Sequence, residues 1–264
     1  MDRANDLERI ELALDRAREV LRGFTPGKVA QRRKSGGDPV TEADTAINDV
    51  LLGTLPEEGE GWLSEETVDD AARLRAERVW IVDPLDGTKE FVAGIPEWCV
   101  SVGLVERGRA VAGGICIPSK ELRVVGSLET GVRANGHACR VRDRSDLRGA
   151  GILASRSEVK RGEWDRFAEA SFEVIPMGSV ACKMALVAAG LADATWTLVP
   201  KHEWDVAAGS ALVAAAGGEV WTIEGPEPKF NQPRPKFRGL LAASAGLAEP
   251  IREHLRETIA GILE

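Results

Sequence analysis

No run in this chain stays apolar for the roughly 18 residues that a membrane-spanning helix needs, so a membrane protein of that kind is not expected. The opening stretch, MDRANDLERIELALDRAREV, is acidic where a secretory signal is apolar, and a cytoplasmic protein is expected. Closely spaced metal-binding pairs are missing too. Cys99, Cys116, Cys139 and Cys182 form no CxxC, and His137, His202 and His254 are just as scattered, which argues against zinc and for reduced, mostly buried thiols. Positive charge is in deficit, with 34 Lys and Arg against 42 Asp and Glu, a formal net charge of −8. That excludes a general nucleic-acid binder, whose affinity rests on a basic surface. A small anionic substrate stays open, because clustered carboxylates recruit divalent cations that reverse the local field. There is no internal repeat and no low-complexity tract.

What is present is an ordinary globular composition: 264 residues, 44% hydrophobic and 29% charged. Leu7, Ile10, Leu14 and Leu21 fall near helical spacing and predict an amphipathic helix over 5–22. FTPGKVAQRRKSGGDPV breaks the pattern and reads as a mobile loop that could close over a site, with Lys34 its residue of interest. A second helix is expected at TEADTAINDVLLGTL, where Thr41 and Asp44 resemble a capping box. Short strands follow: GWLSEE, RVWIVD, a hairpin of WCVSVGLVE and RAVAGGICIP, then ELRVVGS and TGVRANGHACRV with a turn at Asn135-Gly136. Beyond a soft boundary near 148 the pattern alternates strand and helix, with helices expected near 157–170, 179–189, 204–216 and 247–262. The stretch 225–238 reads as an exposed basic loop. The expected division is an α+β half over 1–148 and an α/β half over 149–264 of one unit.

Acidic residues gather at the ends of these elements. Glu65 and Glu66 end WLSEE, Asp83 and Asp86 close VWIVD and open the next turn, Asp205 starts a helix after KHEW, and Asp44 sits in a helical first turn. Magnesium takes oxygen ligands and keeps waters and phosphate oxygens in its shell, so three or four carboxylates suit two or more ions. Pro84 stiffens the DPLD turn and leaves the Leu85 carbonyl as a further oxygen. Gly87 allows close backbone approach, and N–H groups at Gly87 and Thr88 suit an anion if a helix begins there. The plainer reading is that these acids are caps and turn formers.

At these residues the chain resembles the lithium-sensitive, magnesium-dependent phosphatases of the inositol monophosphatase family. DPVTEAD (38–44), WLSEE (62–66), WIVDPLDGTKEF (80–91), GSVACKMALVAAGLAD (178–193) and EWDVAAGSALVAAAGG (203–218) carry the likeness in order across nearly the whole chain. The resemblance implies the layered αβαβα sandwich shared with fructose-1,6-bisphosphatase. It implies two or three Mg2+ ions: one on Glu65, Asp83 and the Leu85 carbonyl, one on Asp83, Asp86 and Asp205, and a weaker third near Glu65. Asp44 and Thr88 would then orient and deprotonate the attacking water, and Gly87 and Thr88 would hold the phosphate. One ion readies the nucleophile while another steadies the leaving oxygen.

The expected partner is a small phosphorylated substrate, with no nucleic acid and no membrane. Dimers are common in the family, which leaves a homodimer open. DPLDGTKEF, with Lys89 and Glu90, and Lys183 favour 3′-phosphoadenosine 5′-phosphate. Leu198 stands where inositol phosphatases place a glutamate on the ring hydroxyls. Lys229, Arg234, Lys236 and Arg238 add a cationic reach for a second phosphate, while Trp98 stands where the nucleotide enzymes carry a different segment and could either stack on a base or sugar face or pack against the hairpin. Asp205 and Lys183 are accordingly expected on the substrate side. The alternatives are an inositol-phosphate, histidinol-phosphate or sugar-phosphate phosphatase, or a non-catalytic metal- or nucleotide-binding regulator.

Overall fold

The computed structural model describes residues 3–33, 39–225 and 227–263; Lys34 and the loop around it lie outside these. The first half runs α1 (Arg3–Leu21), β1 (Gln31–Arg33), β2 (Pro39–Thr41), α2 (Glu42–Leu52), β3 (Gly61–Ser64), β4 (Arg78–Asp86), α3 (Thr88–Ala93), β5 (Cys99–Glu106), β6 (Arg109–Ile117), β7 (Leu122–Ser127), β8 (Gly131–Ala134) and β9 (His137–Cys139). The second runs β10 (Gly151–Ser155), α4 (Arg156–Lys160), β11 (Glu173–Met177), α5 (Val180–Ala188), β12 (Ala194–Thr197), β13 (Lys201–His202), α6 (Glu203–Ala215), β14 (Gly218–Thr222), β15 (Lys236–Phe237), β16 (Leu240–Ser244) and α7 (Ala245–Leu263).

Strands β3 to β9 form one seven-stranded sheet in chain order, all antiparallel except β3 with β4. A five-stranded sheet in the order β11-β10-β12-β16-β14 forms the other, parallel at β10–β11 and β10–β12. Side-chain alternation along each strand builds the layers. In β4, Trp80 and Val82 point to a core with α1 and α2, while Val79 and Ile81 point to one with α5 and α6. In β16, Leu240 and Ala242 face α5 and α6, and Leu241 and Ala243 face α7. The result is α1/α2, sheet, α5/α6, sheet, α4/α7: the expected αβαβα sandwich.

Asn135 and Gly136 both take positive φ, the two-residue turn expected between β8 and β9. Four readings change. Within the stretch expected as a mobile loop, β1 pairs antiparallel with β2. The helix expected near 157–170 stops at Lys160, where Gly162 (φ +76°) turns the chain into a short 3₁₀ turn at Asp165–Phe167. The expected basic loop 225–238 contains β15, which pairs with β13. Asp86 closes the strand as expected, but Asp83 does not: β4 continues past it to Asp86, with Asp83 opposite Ser101 and Asp86 opposite Cys99. Three steps on β4 thus match two on β5, a β-bulge at Pro84, a residue with no N–H to give the ladder.

The middle helices approach the first sheet closely. A Cβ on Gly113 would lie 2.8 Å from the Ala208 carbonyl oxygen and 2.9 Å from its Cα, and one on Gly103 2.8 Å from the Ala208 nitrogen. These are backbone atoms of α6, so no side chain can swing aside. Gly113→Ala is expected to push α6 off the sheet and lower stability by about 1–3 kcal/mol, read as a lower urea midpoint at unchanged slope.

Candidate active site

The bulge in β4 aims its carboxylates into a cleft of about 540 Å³ between the halves, in the range of ligand-binding cavities. Glu65, Asp83, Leu85, Asp86, Gly87 and Thr88 line it from the first half, and Gly178, Ser179, Lys183, Lys201, His202, Trp204, Asp205 and Lys236 from the second. Of the residues expected to hold metal, water or the reacting phosphate, and Lys183, all but Asp44 are therefore lining residues. Asp44 lies behind: it is 1% exposed, and its Oδ1 is 2.9 Å from Thr88 Oγ1.

Asp83, Asp86 and Asp205 are each held by one oxygen, Asp44 by both. Asp44 Oδ2 accepts from the Thr41 nitrogen at 2.7 Å and its hydroxyl at 2.6 Å, completing the capping box of α2. Asp83 Oδ1 accepts from the Leu85 nitrogen at 3.0 Å. Asp86 Oδ2 accepts from Ser179 Oγ at 2.7 Å and the Ala181 nitrogen at 2.6 Å, at the start of α5. Asp205 Oδ2 accepts from the His202 nitrogen at 2.9 Å, at the start of α6. Thr88 Oγ1 also reaches the Leu85 carbonyl at 3.0 Å, and its single proton serves one acceptor at a time. Gly87 opens α3 at φ +97°, and a Cβ there would meet the Glu97 carbonyl at 2.6 Å, so glycine is required on both counts.

The Inositol monophosphatase family model matches residues 5–262. The chain belongs to that family. It is 34% identical to an inositol-1-monophosphatase of Mesorhizobium japonicum over 84% of this chain and 86% of that protein. It is 32% identical to a 3′-phosphoadenosine 5′-phosphate phosphatase of Mycobacterium leprae, over 81% of each. The structure of the Thermotoga maritima IMPase superposes with a TM-score of 0.82 at 25% identity, covering 99% of this chain and 100% of that one. Membership makes the chain a phosphatase of small phosphorylated substrates and implies a divalent metal cofactor. Among the described residues no helix is long and apolar enough to cross a membrane.

The donor chemistry fits a hard divalent cation: carboxylates and a carbonyl, all oxygen. So does the charge. Burial, then Glu65, Asp86, Asp205 and Asp44 in turn, push Asp83 well above the usual carboxylate range. Loss of hydration, then Asp86 and Glu65, raise Asp205 to about 8 against the pull of Lys201. Like charges confined in this way call for a cation between them. Among the described residues no three Asp, Glu, His or Cys side chains are already gathered at metal-binding geometry; Asp83, Asp86 and Asp205 each keep a second carboxylate oxygen for a cation.

Of the substrate-side expectations, Lys183 is buried rather than extended to solvent, its Nζ 3.3 Å from the Met177 carbonyl. Burial lowers its pKa against the pull of Asp86. Trp98 is core, edge-on to Phe91 at 4.9 Å, and offers no stacking face. Leu198 packs on the outer core and does not line the cleft. Of the four cations in 229–238 only Lys236 lines it; Arg238 bonds the Ile262 carbonyl instead. Ser179, Lys201 and His202 received no role from sequence reasoning. Ser179 takes φ +56° and ψ 119°, a strained conformation for a residue with a Cβ, while capping α5 and holding Asp86. A serine before an apolar run signals a helix cap; nothing local signals its reach to Asp86, 93 residues away.

Two outcomes follow. Between pH 4 and 8 the metal-free folded protein keeps a proton on Asp205 that the unfolded chain loses, so stability falls as pH rises through that window. At pH 8 in chelator, Asp205→Asn should raise the thermal midpoint by about 2–4 °C, for about 1 kcal/mol in a chain of this size. Ser179→Ala, which removes a bond holding Asp86, should weaken any rise in that midpoint on adding a divalent cation by about tenfold in apparent affinity.

Proposed function

We propose that this chain is a magnesium-dependent phosphate monoester hydrolase that removes the 3′-phosphate of 3′-phosphoadenosine 5′-phosphate. The observation that carries the reading is one cleft with a carboxylate wall on the first half and the buried cation Lys183 on the second. Glu65, Asp83, the Leu85 carbonyl, Asp86 and Asp205 would hold the two or three ions. Magnesium bound there would supply Lewis acidity and charge neutralisation at the phosphoryl group.

The chain's own groups do the rest. Thr88 Oγ1 accepts a proton from the attacking water and passes its own to Asp44 Oδ1, 2.9 Å away. Asp44 can take it because its other oxygen stays fixed by Thr41. The water oxygen bonds to phosphorus, the ester P–O bond breaks, and the departing 3′-oxygen takes a proton from water. Gly87, with no side chain, lets the phosphate approach the backbone N–H groups of Gly87 and Thr88. Lys183 faces the part of the substrate that is not cleaved. A cytoplasmic location, a homodimer and sensitivity to lithium go with this proposal.

The Mesorhizobium relative favours a second reading, an inositol-phosphate phosphatase. Against it, Leu198 offers no acceptor for ring hydroxyls and lies away from the cleft. Phosphate release with magnesium should favour 3′-phosphoadenosine 5′-phosphate over inositol 1-phosphate by at least about tenfold in kcat/KM. A preference for inositol 1-phosphate overturns the substrate reading. Asp83→Asn should lower release by more than about a hundredfold with the circular dichroism spectrum unchanged. Normal turnover by that variant overturns the hydrolase assignment itself.

A further inference from the structure

The second half contributes more cations to the cleft than Lys183. Strands β13 and β15 form a two-rung antiparallel ribbon at its rim, with Lys201 opposite Phe237 and His202 opposite Lys236. Lys201 and Lys236 both line the cleft. The ribbon is anchored at both ends: α6 begins directly after His202, and the Glu203 nitrogen donates to the Pro235 carbonyl at 2.9 Å. Lys201 is oriented from below. Its Nζ lies 3.6 Å from Glu158, a buried carboxylate that also accepts from Thr197 Oγ1 at 2.6 Å and Trp164 Nε1 at 3.3 Å. Lys236 is exposed and has no acidic partner among the described residues.

This arrangement is asymmetric. Asp83, Asp86 and Asp205 gather around the bulge of β4 and the start of α6, where the reacting phosphate would sit. Lys201 and Lys236 gather on the ribbon, and Lys183 lies buried between them and Asp86. A neutral polyol offers the ribbon lysines only hydroxyl acceptors, whereas a second phosphate ester gives each a stronger, charge-assisted hydrogen bond. The cleft, at about 540 Å³, has room for a substrate that spans both walls.

We infer that the β13–β15 ribbon forms a second anion subsite, in which Lys201 and Lys236 bind the phosphate that is not hydrolysed and so select bisphosphorylated substrates over monophosphates. Glu158 is a positioning residue in this scheme: it holds the Lys201 ammonium at the rim and does not touch substrate. The inference rests on the hydrolase reading above and deepens it by assigning the specificity to named residues.

The test compares 3′-phosphoadenosine 5′-phosphate with adenosine 3′-monophosphate, which has the same scissile ester and lacks the 5′-phosphate. The ratio of their kcat/KM values should favour the bisphosphate in the wild type and fall about tenfold in Lys201→Ala and in Lys236→Ala, chiefly through KM. Lys201→Arg, which keeps the charge over Glu158, should retain most of the preference and so separates charge loss from misfolding. Lys229→Ala, an exposed lysine of the same segment outside the cleft, should leave the ratio unchanged. Calorimetric titration of adenosine 5′-monophosphate in chelator reads the subsite without metal or turnover, and the same two alanine variants should weaken it about tenfold. A wild type that does not distinguish the two substrates overturns the bisphosphate reading. A wild type with the preference, kept by both alanine variants, overturns the ribbon assignment and leaves that reading standing.

Discussion

The arrangement depends on confining several like-charged carboxylates in a cleft that hydrates them poorly. Asp83 is all but inaccessible, and the acids around it drive its pKa up. Such a cluster costs stability unless something fixes the acids and something positive joins them. The protein supplies the fixing. Asp44 and Asp205 each accept the backbone N–H at the start of a helix, Asp83 accepts one inside its own turn, and Asp86 accepts from Ser179 and Ala181 at the start of α5. A divalent ion supplies the rest when bound. The carboxylate cluster is thus an electrostatic deficit whose geometry is fixed by hydrogen bonds.

Holding it open needs the two halves to stay in register, because Asp83 and Asp86 come from the first sheet while Asp205 and Ser179 ride on α6 and α5. That register is steric as much as hydrophobic. Gly103 and Gly113 let the backbone of α6 lie directly on the sheet, with no flexible side chains between. The helix that carries Asp205 therefore cannot slide without colliding with β5 or β6. Rigid-element placement of this kind suits chemistry that tolerates little misalignment.

Much of this was legible in the chain. Residue types and spacing marked Asp83, Asp86, Gly87 and Thr88 as one turn, and Thr41 with Asp44 as a helix start, because these signals are local. Patterning marked an α+β half and an α/β half, and the layered sandwich came from the family resemblance that the ordered motifs carry. Less legible were relations made only in three dimensions. DPLD looked like a strand end, yet pairing with β5 carries the strand through it as a bulge, and pairing is not written in one strand. Trp98 looked available for stacking, but Phe91 and the sheet take it into the core. Residues 225–238 looked like open loop because a two-residue strand has no periodicity to read, and the residue that Lys201 pairs with, Phe237, lies 36 positions away. Ser179 escaped for the same reason: its cap is local, its grip on Asp86 is not.

Asp44 and Asp205 both occupy the third position of their helices, where one carboxylate oxygen is tied to the residue before the helix begins. That gives the first turns of α2 and α6 the character of an indexing device. Each successive residue on an α-helix is turned by about 100°, so moving either helix start by a single residue would swing its acid away from the cleft. Insertions and deletions should accordingly be tolerated along α7 or in the turns of the outer sheet, and rejected within the few residues that precede Asp44 and Asp205. The ribbon lies beside one of these guarded starts, and its lysines can change identity without changing chain length. Substrate preference is thus free to drift by substitution while the spacing that places the acids stays locked.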